Sequence, residues 1–280
     1  MEKTHGDHWW TIFEDVEKDV PDLLKFMNQN GAIFDDKETL EEIKQEFNWD
    51  AFASVVYPED SPIRFLFMLK HEVGSDVNEV IAAYPMVEGI VNEIEFENFV
   101  LTDGGFEGQI EGHAGCPIGF YDTLFYKNNF KYNNEERLLF SIAGLAYSIH
   151  KADHESITIK EGPLIDIEKK RALKEDPDTD LSQIDSVKLS LKGMTSFLPR
   201  ESGIDDWGYR FKVEDIQNYL LRDDLIFKSL DGYFVKDGLD ESSLYGRLYV
   251  SQHILGDYEP QIGDDIYGEM WLQGHLVELA

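Results

Sequence analysis

The sequence holds one cysteine, Cys116, so no internal disulfide can form and stability must come from a packed core. A single thiol fits a reducing compartment. No stretch approaches the roughly 18 consecutive apolar residues that a membrane-spanning helix needs. The opening residues, MEKTHGDHWW, lack the apolar centre of a signal peptide. These absences together predict a cytoplasmic protein. Bases are scarce too: 25 Lys and Arg stand against 56 Asp and Glu, a net charge of −31. Affinity for phosphate backbones and anionic membranes depends on accumulated Lys and Arg, so this balance argues against nucleic acid and membranes as partners. Also missing are GxGxxG at a strand–helix junction, GxxxxGK[ST] and the GxSxG elbow.

What is present is a normal core: 42% apolar and 13% aromatic residues exclude a disordered acidic tail. The acidity runs through the whole chain, with 16 acids and 5 bases in residues 1–62 and 17 acids and 6 bases in 201–280. Such a surface serves solubility, a basic protein partner, or mimicry of nucleic acid toward a DNA-binding protein. Adjacent acids recur at Asp35-Asp36, Asp205-Asp206, Asp223-Asp224 and Asp264-Asp265. With so many, no pair marks a general acid–base couple, and turn roles explain most of them.

Periodicity divides the chain. Trp9, Phe13, Val16, Val20, Leu23 and Met27 share one face of a helix predicted over 9–29, with Pro21 expected to kink or split it. Asp36 is placed to cap a second helix over 37–47, with Leu40, Ile43 and Phe47 inward. IRFLFMLK (63–70) reads as a strand and SDVNEVIAAY (75–84) as a short helix capped by Ser75. Beyond Pro85 the pattern is β, in VEGIVNEIEFENF, FEGQIEGH, PIGFYDTLFY and RLLFSIAGLAYSI, with turn residues between. After a charged helix ending before Pro177, alternation resumes to the C-terminus. The expected architecture is α+β and predominantly β: a helical N-terminal segment (1–50) and two antiparallel barrel-like, OB-like units (51–155 and 156–280). A faint echo supports two units: a strand, then Tyr132, then Gly144-Leu145 in one half, and a strand, then Tyr258, then Gly274-His275-Leu276 in the other.

Two stretches concentrate candidate chemistry. In GDDIYGEMWLQGHL (263–276), Ile266, Gly268, Met270 and Leu272 share one strand face, and Tyr267, Glu269, Trp271 and Gln273 the other. Gly268 permits a bend or a close strand approach. The second face is expected to enter the core; exposed, its aromatics and Tyr249 would form a stacking platform for an oligonucleotide or glycan. In GHAGCPIGFYDTLFY (112–126), His113, Cys116 and Asp122 would make a thiol or metal-dependent hydrolase only if they converged. Otherwise Cys116 is a small buried residue at the start of a strand, and Asp122 sits on a strand's wet face. His150 and His154, and His5 and His8, read as solvated.

The tail resembles the closing strand of small β-barrels such as the OB-fold. The Gly-Asp-x-Ile-x-Gly-x-x-Trp-Leu-Gln-Gly-x-Leu segment, with FYDTLFY and GLAYS within 120–148, also resembles an uncharacterised bacterial protein family. That resemblance implies no catalytic residue. The reading is therefore an acidic adaptor acting through protein contacts, without cofactor or metal. Its candidate binding positions are Tyr121, Asp122, Tyr267, Trp271 and Gln273.

Overall fold

The structure, a computed structural model, describes residues 8–71, 79–102, 105–132, 137–152, 156–221, 225–236 and 243–277. His5, His154, Asp223, Asp224 and the Ser75 cap lie outside them. The protein is α+β and predominantly β. No helix among the described residues is long and apolar enough to cross a membrane.

The first helix starts later than the spacing predicts. Trp9–Thr11 is a single 3-10 turn, and α1 (Val16–Asn30) begins only at Asp15, whose carboxylate accepts the Lys18 N–H. The early aromatics still bury, but they do so from a turn held by Ser251, which donates to the Thr11 carbonyl at 2.7 Å. α1 runs unbroken through Pro21. Pro21 and Glu17 are both exposed, so the Glu17 carbonyl that loses its helical donor lies at a solvated position. After β1 (Ala32–Ile33), Asp36 caps α2 (Lys37–Glu46) by accepting the Thr39 N–H at 2.9 Å.

β2 (Ala51–Tyr57), β3 (Ile63–His71) and β4 (Glu79–Val87) follow, forming an antiparallel sheet with β1 in the order β1-β2-β3-β4. β4 replaces the helix expected from Ser75. Ala82, Tyr84 and Met86 alternate inward along it and are held by pairing with β3, which local spacing does not reveal.

Five strands then close a barrel. β5 (Ile90–Leu101), β6 (Gly108–His113) and β7 (Pro117–Asp122) form a meander, and the short α3 (Phe125–Asn128) leads to β8 (Arg137–Lys151), which returns to β5. Next come β9 (Ser156–Ile159), α4 (Pro163–Glu175) and β10 (Val187–Ser190), which pairs only with β9. The chain continues through β11 (Ser196–Arg200), β12 (Gly203–Lys212), β13 (Asp215–Leu221), β14 (Leu225–Val235), β15 (Leu244–Ser251), α5 (Gln252–Leu255) and β16 (Asp265–Leu276). The fifth barrel strand is β16, parallel to β7 and antiparallel to β8.

The later strands repeat this plan. β12 pairs with β16 and β13 with β14. The two join at Val213–Glu214, where Val213 N donates to Asp264 O and Glu214 N to Asp231 O. Counted as one bent strand, they complete a second circuit through β14, β15, β8 and β16, with β15 parallel to β8. The echo in the sequence thus has a spatial counterpart: β7, α3 and β8 correspond to β15, α5 and β16. β8 and β16 serve both circuits and exchange places between them.

Alternation explains the two sides of these shared strands. Met270 and Leu272 join Phe120, Phe140 and Ile142 in one core, while Trp271 joins Tyr121, Leu145 and Tyr249. The second core is shared with Phe65, Met68, Tyr84 and Met86, so the N-terminal sheet lies directly on the outer faces of β7, β8, β15 and β16.

Candidate functional site

That seam decides the fate of the candidate residues. Trp271 is fully buried, and its indole Nε1 donates to Asp205 Oδ2 at 2.8 Å while Gln109 Nε2 donates to Oδ1 at 2.9 Å. A buried carboxylate needs such donors to stay in place. Tyr121 donates to Glu107 Oε1 at 2.7 Å. Gln273 bridges barrel and sheet: its Nε2 donates to the Pro85 carbonyl at 2.7 Å and its Oε1 accepts the Val87 N–H at 3.2 Å. The structure therefore brings Tyr121, Trp271 and Gln273 together as fastening for the N-terminal sheet, closed to solvent.

Tyr267 parts from them. It is 45% exposed, with its ring 5.2 Å from that of His150, so the face it shares with Trp271 by alternation does not enter the core along its whole length. The register shift between Glu269 and Met270 against β8 separates the wet end from the buried one. Since Trp271 is not accessible, the stacking platform it would have led does not exist.

Asp122 also departs from expectation. It is buried beside α3, where its carboxylate accepts the Leu124 N–H at 2.9 Å and the Tyr132 hydroxyl. Burial pushes its carboxyl up to about 7, and the two donors oppose that rise. It does not meet His113 or Cys116. In the β6–β7 hairpin His113 faces Pro117 and Gly108 faces Asp122, which puts Asp122 about 17 Å along the strand from the His113 end. His113 is exposed opposite Glu97 at 3.5 Å, and burial pushes the Cys116 thiol up, away from the reactive thiolate. A centre built on these three has no geometry to stand on. Among the described residues, no three His, Cys, Asp or Glu side chains are placed to hold a metal.

Three polar clusters escape sequence reasoning because their members are far apart in the chain. Tyr147 donates to Asp206 Oδ1 at 2.5 Å and lies 2.8 Å from His8 Nδ1, with Trp10 stacked on its ring at 4.7 Å. Asp35 accepts from Ser54 at 2.6 Å, Tyr126 at 2.5 Å and Lys127 at 2.9 Å. Glu88 pairs with Arg64 and lies 3.6 Å from His275, whose imidazole is pushed down to about 4 by burial, with Arg64 and Lys127 adding to it. Each cluster binds the N-terminal unit to the barrels, and no local motif marks any of them.

Clefts among the described residues open to solvent. One, of about 550 Å³, lies between α1 and the start of β14, with Ile12, Phe13 and Leu225 as floor and Glu14, Asp19 and Asp22 on its walls. Another, about 630 Å³, separates α2 from α3 and sets Asp36, Glu42 and Glu46 opposite Lys127 and Lys131. No protein-family model, curated protein or solved structure matches the chain.

Proposed function

We propose that this protein is an acidic adaptor of the cytoplasm, built on two OB-like barrels, that binds a basic protein partner and performs no catalysis. The observation that carries this reading is the placement of charge. Residues 156–200 hold as many bases as acids, so the entire −31 falls on the N-terminal unit and the two barrels. A field of one sign draws an oppositely charged partner and speeds its encounter. The OB-like description is supported by the strand order β5-β6-β7-β16-β8, with the parallel β7–β16 contact and α3 before β8. The N-terminal sheet covers the outer faces of β7 and β15, so these two strands offer no open surface to a nucleic acid or glycan. Titration against a Lys- and Arg-rich protein at rising salt tests the proposal. Affinity should fall steadily as salt screens the charges, and affinity indifferent to salt would remove its electrostatic basis.

A further inference from the structure

The sheets end in strands of different character. β11, at one end of the ten-stranded sheet, is short, carries Pro199 and Arg200, and shifts register between them. In the four-stranded sheet, β1 has two residues and β4 contains Pro85 and a register shift against β3. These are the usual guards against stray strand pairing. β13, at the other end of the ten-stranded sheet, has none of them. Its seven residues pair with β14 without a shift, contain no proline or lysine, and carry Asp215 as their one charge. No strand among the described residues lies on its other side.

Next to this edge is an unfilled surface of matching chemistry. Leu220 and Ile226 are cross-strand partners and are 65% and 44% exposed. Ile226 and Leu225 also line the cleft against α1, so the end of β13 runs into it. That cleft pairs an apolar floor with Glu14, Asp19 and Asp22. Of its basic lining residues, Lys18 is held 3.9 Å from Asp19 and His253 has its Nε2 2.7 Å from the Trp10 carbonyl. An apolar stem with a cationic head suits such walls, which describes a lysine or arginine side chain.

We infer that β13 and this cleft form the docking site for an extended basic segment of the partner, which adds to the sheet as a further strand. This rests on the adaptor reading above and specifies how the partner is held. The edge supplies backbone N–H and C=O groups, and alternate side chains of the incoming strand reach the acidic walls. β13 spans about 23 Å, which limits the segment to a similar length. Self-pairing through β13 is opposed by the charge that two copies would bring together.

The test uses the whole protein and a fluorescent peptide of alternating lysine and valine, with two controls: glutamate in place of lysine, and N-methylation of alternate amides. The lysine peptide should bind at low salt. The N-methylated peptide and the Asp19→Lys/Asp22→Lys variant should each bind roughly tenfold more weakly, with circular dichroism confirming the fold. Equal binding of the N-methylated peptide would overturn strand addition while leaving the adaptor reading intact. Binding of a Lys-rich protein but not of the lysine peptide would do the same. Absence of any basic ligand's binding at low salt would end both. A dimer in sedimentation that disappears in Leu220→Lys would assign the edge to a second copy and overturn the inference.

Discussion

Asp122 is buried beside α3 and His275 lies mostly buried in the seam, and their protonation pulls stability in opposite directions. Asp122 is raised from its ordinary 3.8 to about 7, so the folded state keeps a proton that the unfolded chain releases. Its effect is smallest at acid pH and becomes increasingly destabilising as pH climbs through that range, levelling above 7. His275 is lowered from 6.5 to about 4, so the folded state refuses a proton that the unfolded chain takes up. Stability from that source is complete above 6.5 and is lost as pH falls toward 4. Between about 4 and 6.5 the two slopes oppose each other. Asp122→Asn should therefore gain stability over the native protein progressively from pH 4 to 7, as read by urea unfolding. His275→Gln should show the reverse, losing its disadvantage as pH drops. A difference that stays flat with pH in either variant would remove the assigned cause. At this scale the sequence was half legible. Alternation put Trp271 in the core, but nothing near Asp122 announced that α3 and Tyr132 would enclose it.

Among the elements, β16 carries the strongest local constraint. A Cβ on Gly268 would lie 2.0 Å from the Ser148 carbonyl oxygen of β8, a backbone atom that cannot swing aside. Gly208, across from Glu269 on β12, has no atom nearer than 3.7 Å. Gly268→Ala should consequently cost several kcal/mol or prevent folding, whereas Gly208→Ala should stay within about 1 kcal/mol. Thermal unfolding of the two variants side by side checks the contrast. The close approach at Gly268 could be anticipated from a glycine within an alternating strand. α2 was equally plain, because Asp36 and the inward Ile43 are local signals. The start of α1 and the identity of β4 were not. Each depends on a partner supplied by a distant segment, Ser251 for the first turn and β3 for the strand.

Over the whole molecule, the two circuits depend on each other. β16 lies at the C-terminal end of the chain yet closes the barrel begun by β5, and β8 belongs equally to the circuit of β12 to β15. Residues 1–155 produced alone lack β16 and would expose Tyr121, Leu145 and Phe120 to water. That fragment should show no cooperative transition on heating, and supplying 156–280 should restore one. Cooperative unfolding of the fragment by itself would refute the shared-strand account. The sequence by itself determined the charge, the β-rich class and which residues of each strand turn inward, because burial follows a period that any single strand carries. It could not determine which strands meet. Backbone hydrogen bonds are alike at every residue, so pairing is settled only when distant apolar faces are brought together, and the same contacts closed Tyr121, Trp271 and Gln273 to solvent.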